Sequence, residues 1–125
     1  EVARVGLNEK DAQQKNIPYE TTVFELEESD RAIADSEDHG FLKVLTVPGK
    51  DKILGVTIVG GHAGDLIAEF VLAMKQGLGL NKILGTIHIY PTLVEANKSV
   101  AGNWRKNHVP EKALRFLEKF HTWRR

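Results

Sequence analysis

The sequence contains 125 residues, of which 42% are hydrophobic and 27% are charged. This composition is typical of one globular domain with a hydrophobic core, and it argues against a chain that is disordered throughout. Seventeen basic residues balance seventeen acidic ones, so we expect neither the basic surface of a nucleic-acid-binding protein nor direct contact with an anionic membrane.

The first part of the chain is predicted to alternate between strands and one short helix. Val2–Gly6 is a predicted strand, and Asn8 is placed to cap a helix that has Asp11 in its first turn. Pro18 ends that helix, because proline disfavours helical backbone in the residue before it. Residues 19–26 are rich in β-branched and aromatic side chains, which favours a second strand.

Two strands joined by a turn are the clearest elements. Residues 41–47 and Ile53–Val59 flank the sequence Pro48-Gly49-Lys50-Asp51-Lys52, so they are predicted to form an antiparallel hairpin. The second strand carries apolar residues on both faces, as expected of an interior strand. The polar segment 27–40, which precedes the hairpin, is predicted to be a solvated connection.

A helix is predicted over residues 65–76. Its apolar side chains recur at three- and four-residue steps, and we expect most of them to lie in the core rather than at an interface. They are Leu66, Ile67, Phe70, Val71, Met74 and Leu78. Glycines end this helix at residues 77–79, and Asn81 is placed to cap one more turn.

The remaining segments are predicted to be mainly helical. Residues 85–90 are interpreted as a short extended piece, and Pro91 is expected in the first turn of a helix over residues 92–105. A last helix is predicted over about residues 110–123.

One candidate site is the turn from Gly60 to Gly64, where a predicted strand passes through glycines into a helix. Backbone amides at such a junction can bind an anion. The turn lacks the G-x-G-x-x-G spacing and the G-K-[ST] of phosphate-binding loops, and a tight strand-to-helix turn also accounts for its glycines. An alternative function is therefore a stand-alone α+β module that binds an anionic ligand at this turn.

Cysteine and histidine give little chemistry. The chain has no cysteine, which excludes a disulfide framework, a thiolate zinc site and a cysteine nucleophile within these 125 residues. Its five histidines show no H-x-x-x-H or H-E-x-x-H spacing, so we expect no metal site. We interpret His88, which lies in the predicted extended piece, as a structural histidine.

The segment Tyr90-Pro91-Thr92-Leu93-Val94-Glu95 is the third candidate site. Proline stiffens the loop after Tyr90, Thr92 can bond locally, and Glu95 can accept a hydrogen bond. This arrangement suits the presentation of one side chain. A helix start with a surface tyrosine is the simpler interpretation.

Several motifs in this order resemble one known family. They are Val2-Ala3-Arg4-Val5-Gly6-Leu7-Asn8-Glu9, Asp30-Arg31-Ala32, Gly40-Phe41-Leu42-Lys43-Val44-Leu45, Ile53-Leu54-Gly55-Val56-Thr57-Ile58-Val59-Gly60, Ala63-Gly64-Asp65-Leu66-Ile67 and Pro91-Thr92 with Glu95. Together they resemble the C-terminal dimerisation domain of the FAD-dependent pyridine nucleotide-disulfide oxidoreductases. The resemblance covers about residues 2–104.

The resemblance implies a homodimer in which this domain completes the partner subunit's active site. Family members of the disulfide-reductase type read His-Pro-Thr in this loop, and a glutamate orients that histidine as the acid–base for the thiols. This sequence has Tyr90 at the histidine position and keeps Glu95. A phenol with an ordinary pKa of about 10 cannot replace imidazole at neutral pH. A tyrosine here is similar to mercuric reductase, although the cysteine pair that ends those enzymes is missing.

We therefore expect a single domain over residues 1–125, with a core over residues 2–105. Its fold class is α+β, in two layers, with a mainly antiparallel sheet backed by helices. The candidate catalytic residues are Tyr90 and Glu95, while His88, Pro91 and Thr92 position the loop. The resemblance places FAD and NAD(P)H in other domains of a longer parent enzyme, of the mercuric-reductase-like or dihydrolipoamide-dehydrogenase-like branch, and no turnover is expected of this chain alone.

The start of the sequence carries two further expectations. Residues 1–5 lack the charged start and the apolar stretch of a signal peptide, and no segment reaches the roughly 18 consecutive apolar residues of a membrane-spanning helix. We therefore expect a cytoplasmic location. Because the sequence begins at Glu1 and enters a predicted strand at once, we also expect a fragment of a longer protein.

Overall fold

The computed structural model describes residues 1–34 and 39–108 of the chain. Within these ranges, short strands alternate with helices in the order expected of an α+β domain. In chain order the elements are β1 (Val2–Gly6), α1 (Glu9–Gln14), β2 (Glu20–Glu25), a 3-10 helix (Leu26–Glu28), α2 (Asp30–Ala34), β3 (Phe41–Thr46), β4 (Ile53–Val59), α3 (Ala63–Lys75), α4 (Leu80–Leu84) and α5 (Glu95–Asn107). The helix predicted over residues 110–123 lies outside the described residues.

The strands form one antiparallel sheet in the order β1-β4-β3-β2. The predicted hairpin is therefore confirmed as β3 and β4, and β4 is an interior strand as its apolar faces indicate. Leu42 lies opposite Ile58 on one side and Phe24 on the other, so side chains of three strands form a row. These rows turn one face of the sheet into an apolar platform.

Helices α3 and α5 cover that platform, α3 against β1 and β4, and α5 against β2 and β3. The two-layer α+β architecture is thus confirmed. On α3 the side chains of Leu66, Phe70 and Ala73 are buried, whereas Val71 is exposed. The stripe of the amphipathic helix therefore lies mainly in the core, and full burial of the Phe70 ring contributes about 2–3 kcal/mol.

The start of α1 follows the predicted capping pattern. The Asn8 side chain accepts a hydrogen bond of 2.7 Å from the Asp11 N–H, and the Asp11 carboxylate accepts one of 3.3 Å from the Asn8 N–H. This reciprocal capping box satisfies two backbone donors that the first helical turn leaves unpaired.

The start of α4 differs from the prediction. Gly79 is the N-cap, and Asn81 lies inside the helix. Asp51 from the hairpin turn takes the capping role, because its carboxylate accepts from the Asn81 N–H at 3.0 Å and its carbonyl from the Leu80 N–H at 3.0 Å. A side chain at Gly79 would overlap the Asp51 carboxylate, which explains the glycine.

The prediction of a solvated connection over residues 27–40 is wrong for its first half. The 3-10 helix Leu26–Glu28 and helix α2 occupy this part of the chain. Leu26 and Ala32 are buried in the core, and the Ser29 hydroxyl accepts a hydrogen bond from the Ala32 N–H at 3.3 Å. Tertiary contact at two apolar positions is enough to order a segment whose composition is mostly polar.

Two predictions around Pro91 are also wrong. Residues 85–90 are not a strand but an irregular loop, and α5 begins at Glu95 instead of Thr92. Pro91 therefore precedes the helix, and its peptide bond with Tyr90 is cis. In the described part of the chain, this loop belongs to no strand of the sheet and contacts helix α3 through His88 and Glu69. Among the described residues, no helix is long and apolar enough to cross a membrane.

Candidate functional site

The loop between α4 and α5 presents its tyrosine to solvent. Tyr90 is 67% exposed, and its neighbours Ile87 and Ile89 are exposed as well. Large apolar side chains that stand in water usually mark a contact surface when they lie close together in a segment. The structure therefore supports a loop that displays side chains rather than one that fills the core.

Thr92 and Glu95 hold the C-terminal side of this loop. The Thr92 hydroxyl donates to the Ile89 carbonyl, and the Thr92 N–H donates to the Glu95 carboxylate at 3.3 Å. Both contacts match the local bonds expected from the sequence. They join Thr92 to Ile89 on one side and to Glu95 on the other.

Arg31 of helix α2 holds the same loop from the other side. Its guanidinium donates to the Pro91 carbonyl at 3.2 Å. Arg31 is separated from Pro91 by 60 positions, so no local spacing could reveal this contact. The sequence offered only the motif Asp30-Arg31-Ala32 as a signal, without a role for the arginine.

Tyr90 and Glu95 border one small pocket of about 140 Å³. The pocket is lined by Glu28, Ser29, Tyr90, Glu95, Ala96 and Ser99. Tyr90 and Glu95, the two candidate catalytic residues, are thus brought together. The phenol can donate one hydrogen bond, and the carboxylate accepts one from backbone, so the pair suits hydrogen bonding to a polar group better than proton abstraction.

His88 does not join that pocket but is fixed to helix α3. Its Nε2 lies 2.8 Å and 2.9 Å from the two Glu69 carboxylate oxygens, and its Nδ1 lies 2.8 Å from the Thr86 carbonyl. Its side chain is almost completely buried. These contacts agree with the interpretation of His88 as a structural histidine.

Asn97 continues this network behind the loop. Its amide nitrogen donates to the Leu66 carbonyl at 2.9 Å and to the Glu69 carboxylate at 3.0 Å, and the residue is completely buried. Sequence reasoning missed Glu69 and Asn97. A polar residue on the buried side of α5 was the one available signal, since such a group needs partners.

The turn from Gly60 to Gly64 has its amides occupied. The Glu1 carboxylate accepts from the His62 N–H at 3.0 Å and from the Gly64 N–H at 3.5 Å. These bonds, that of His62 first, lower the pKa of Glu1 below its usual value. His62 has a left-handed backbone, with φ 62°. An anionic side chain of the protein thus already uses the donors that the alternative function needs.

The described residues contain no group of three histidine, aspartate or glutamate side chains arranged to hold a metal ion. His62 and Asp65 approach each other to 3.7 Å, and both are largely exposed.

Comparison with protein families matches residues 1–101 to one family, the dimerisation domain of pyridine nucleotide-disulphide oxidoreductases. A dihydrolipoamide dehydrogenase of Chaetomium thermophilum is 41% identical over 101 residues, which cover 81% of this chain and 20% of the relative. A dihydrolipoyl dehydrogenase of Buchnera aphidicola is 45% identical over 96 residues, which cover 77% and 20%. The chain thus spans about a fifth of the length of these curated relatives.

Solved structures with the same fold agree. LpdA from Mycobacterium tuberculosis superposes with a TM-score of 0.73 at 23% identity, over 80% of this chain and 22% of that one. The HOCl-induced flavoprotein disulfide reductase RclA from Escherichia coli gives 0.75 at 19% identity, over 81% and 23%. The relatives that exceed 40% identity above are lipoamide enzymes, which supports that half of the predicted branch, while the mercuric-reductase-like half stays a prediction.

Proposed function

The chain belongs to the dimerisation-domain family of the pyridine nucleotide-disulphide oxidoreductases, and we propose that it dimerises a flavin-dependent oxidoreductase. In this proposal two copies pair about a two-fold axis. Each copy places the loop that carries Tyr90, Pro91 and Thr92 into the active site of the partner subunit. The isolated chain has no turnover of its own.

The exposed apolar surface carries this proposal. Six of the nine exposed large hydrophobic side chains of the described residues fall between Val71 and Tyr90. They are Val71, Leu72, Leu78, Ile87, Ile89 and Tyr90. Obligate homodimer interfaces are large and apolar, so an apolar segment that includes the Tyr90 loop supports pairing through that segment.

Tyr90 gives the proposed site a hydrogen-bond donor in place of a base. Tyr90 and Glu95 both line the small pocket described above, and a phenol donates well to an oxygen or sulfur that becomes negative. The proposed reaction is therefore one in which Tyr90 orients or stabilises the oxidised substrate. The identity of that substrate is left open by the chemistry of one hydroxyl.

The cofactors belong to other domains in this proposal. The dimerisation family is part of enzymes that use FAD and NAD(P)H, and this chain corresponds to about a fifth of its curated relatives. We propose that FAD and NAD(P)H bind to the domains that make up the remainder, and that the parent enzyme is cytoplasmic. Tyr90 and Glu95 would reach the flavin site only across the dimer.

Expression of the complete reading frame that contains this sequence tests the proposal. The expected product is a yellow homodimer that shows flavin absorbance and oxidises NADH or NADPH. A colourless protein whose reading frame starts within a few residues of Glu1 would overturn it. The 125-residue chain alone serves as the control and is expected to show neither flavin absorbance nor NAD(P)H oxidation.

A charge placed in the proposed interface tests its location. Ile89→Glu in the full-length protein is expected to weaken the dimer at least about tenfold, because a carboxylate would be buried against apolar surface. Val2→Glu is a matched control, since Val2 is 72% exposed and Ile89 is 68% exposed, and it should leave dissociation unchanged. Sedimentation equilibrium measures the dimer dissociation constant of both variants. Equal effects of the two substitutions would show that the interface does not lie at the Tyr90 loop.

A further inference from the structure

The Tyr90 loop contains one buried side chain between two exposed ones. Ile87 is 88% exposed and Ile89 is 68% exposed, whereas the His88 side chain is only 3% exposed. A histidine that turns inward from an otherwise solvated loop fixes that loop to whatever it contacts. The partner here is Glu69, which lies on helix α3, 19 positions earlier in the chain.

The contacts of His88 are of a kind that orients the ring. One ring nitrogen, Nδ1, faces the Thr86 carbonyl at 2.8 Å, and the other, Nε2, faces the Glu69 carboxylate at 2.8 Å. Both edges of the ring therefore have a polar partner, and a ring held at both edges has a single orientation.

Glu69 is itself held from behind by helix α5. Asn97 donates to the Glu69 carboxylate while its own position is fixed by the Leu66 carbonyl. The chain of contacts therefore runs from α5 through Asn97 and Glu69 to His88. It ends at His88, two residues before Tyr90. Hydrogen bonds therefore connect the backbone just before the tyrosine to α3 and α5, the helices that pack on the sheet.

We propose that Glu69 and Asn97 are positioning residues that act through His88 to set the place of Tyr90. This role rests on the function proposed above, in which Tyr90 completes the partner subunit's site. Thr92, Glu95 and Arg31 hold the loop after Tyr90. The contacts of His88, Glu69 and Asn97 fix the loop before Tyr90 in the same way. In this proposal the site needs both sets of contacts.

Nuclear magnetic resonance of the 125-residue chain tests the first half of the proposal. In the wild type, backbone N–H order parameters over residues 87–90 are expected near 0.8, and in Glu69→Ala they should fall below about 0.6. Glu69→Gln is the conservative rescue, because its amide can donate to Nε2 of a neutral His88 ring. It should keep the order parameters close to the wild-type values.

Glu20→Ala is the matched control, since it breaks another histidine–carboxylate pair, that of His108. It should leave residues 87–90 unchanged. Unchanged order in Glu69→Ala would overturn the proposal. If that variant fails to fold, ring N–H exchange in the wild-type chain provides the test. The His88 ring N–H is expected to exchange with water much more slowly than the ring N–H of the exposed His62. Equal exchange rates would also overturn the proposal.

Kinetics of the full-length enzyme test the second half. Glu69→Ala is expected to lower kcat by about tenfold to a hundredfold with little change in KM, because a displacement of about 1 Å in a catalytic group has that effect. Tyr90→Phe should act on the same step, and the double variant should be no slower than the worse single one. A loss in Tyr90→Phe without a loss in Glu69→Ala would refute the positioning role alone. Loosened loops in Glu69→Ala with full activity in both variants would refute the proposed function instead.

Discussion

Two histidine–glutamate pairs flank helix α5 and use the same side chains differently. His88 and Glu69 lie before the helix, where the His88 ring is almost fully buried, and His108 and Glu20 lie at its C-terminal end, where the His108 side chain is 22% exposed. The first pair joins a loop to α3. The second joins the end of α5 to the start of β2.

The second pair lies near the protein surface, with both side chains partly exposed. His108 stacks on Trp104 with ring centroids 4.5 Å apart, and its Nδ1 lies 2.7 Å from the Trp104 carbonyl. That carbonyl first, and then Glu20, raise the pKa of His108 above its usual value. The bond with His108 first, and then the Gly49 N–H, lower the pKa of Glu20. Burial and connection, not residue type, therefore distinguish the pair that joins a loop to α3 from the pair that joins the end of α5 to β2.

The largest expected difference between the pairs is in stability. Glu69→Ala should lower the free energy of unfolding by about 2–3 kcal/mol, because the buried His88 ring and the buried Asn97 amide lose a hydrogen-bond partner. Glu20→Ala should lower it clearly less, since the His108 side chain is 22% exposed and the His88 side chain only 3%. Urea unfolding of the 125-residue chain measures both losses. Equal losses would contradict the distinction drawn between the two pairs.

Asn97 allows the buried network to be tested without touching either charge. Asn97→Ala is expected to lower the free energy of unfolding by about 2 kcal/mol, because the Leu66 carbonyl and one Glu69 oxygen lose a buried donor. Asn103→Ala is the control on the same helix. Asn103 also donates to a backbone carbonyl, that of Val23 at 3.1 Å, but in an exposed setting. If both substitutions lower the free energy of unfolding equally, burial does not strengthen the hydrogen bonds of Asn97.

A smaller effect is expected from the dependence of stability on pH through the partly exposed pair of His108 and Glu20. The raised pKa of His108 means that its contribution is fully present below the usual histidine value of 6.5 and is lost as the pH rises through the higher pKa of the folded protein. The lowered pKa of Glu20 means that its contribution is present above the usual 4.5 and is lost as the pH falls through the lower folded value. The pair therefore stabilises most between pH 4.5 and 6.5.

The difference in melting temperature between wild type and Glu20→Gln measures this window. It should be largest near the middle of that window and should shrink towards pH 9 and towards pH 3. Other carboxylates such as Glu9 also have lowered pKa values, in its case through Lys43, but they contribute equally to both proteins and cancel. A difference that is constant across this range would contradict the assignment.

Much of the fold could be predicted from local pattern. The capping box at Asn8, the hairpin of β3 and β4 and the buried stripe of α3 depend on spacings within a few residues, and each is visible in the sequence. Residues 85–90 show the limit. Ile87, Ile89 and Tyr90 favour a strand by composition, yet the segment is a loop in which His88 turns inward to Glu69.

The site could be predicted only in part for the same reason. Tyr90, Thr92 and Glu95 lie within six consecutive positions, so their neighbourhood follows from the sequence. The contacts that hold them join positions far apart, 28 between Asn97 and Glu69 and 60 between Arg31 and Pro91. A single sequence does not pair distant polar residues, because each is compatible with many partners before the helices pack.

The smallest expected stability effect belongs to Tyr90, and it separates packing from chemistry. Because the ring is 67% exposed, Tyr90→Phe should change the free energy of unfolding by no more than about 0.5 kcal/mol. The same substitution in the full-length dimer should lower kcat at least about tenfold if the hydroxyl acts on the substrate. Tyr90→Phe is therefore expected to lower turnover and leave stability nearly unchanged. Glu69→Ala is expected to lower both. Urea unfolding and steady-state kinetics of each variant distinguish the two cases. A Tyr90→Phe enzyme with unchanged kcat would show that the ring serves only as interface surface.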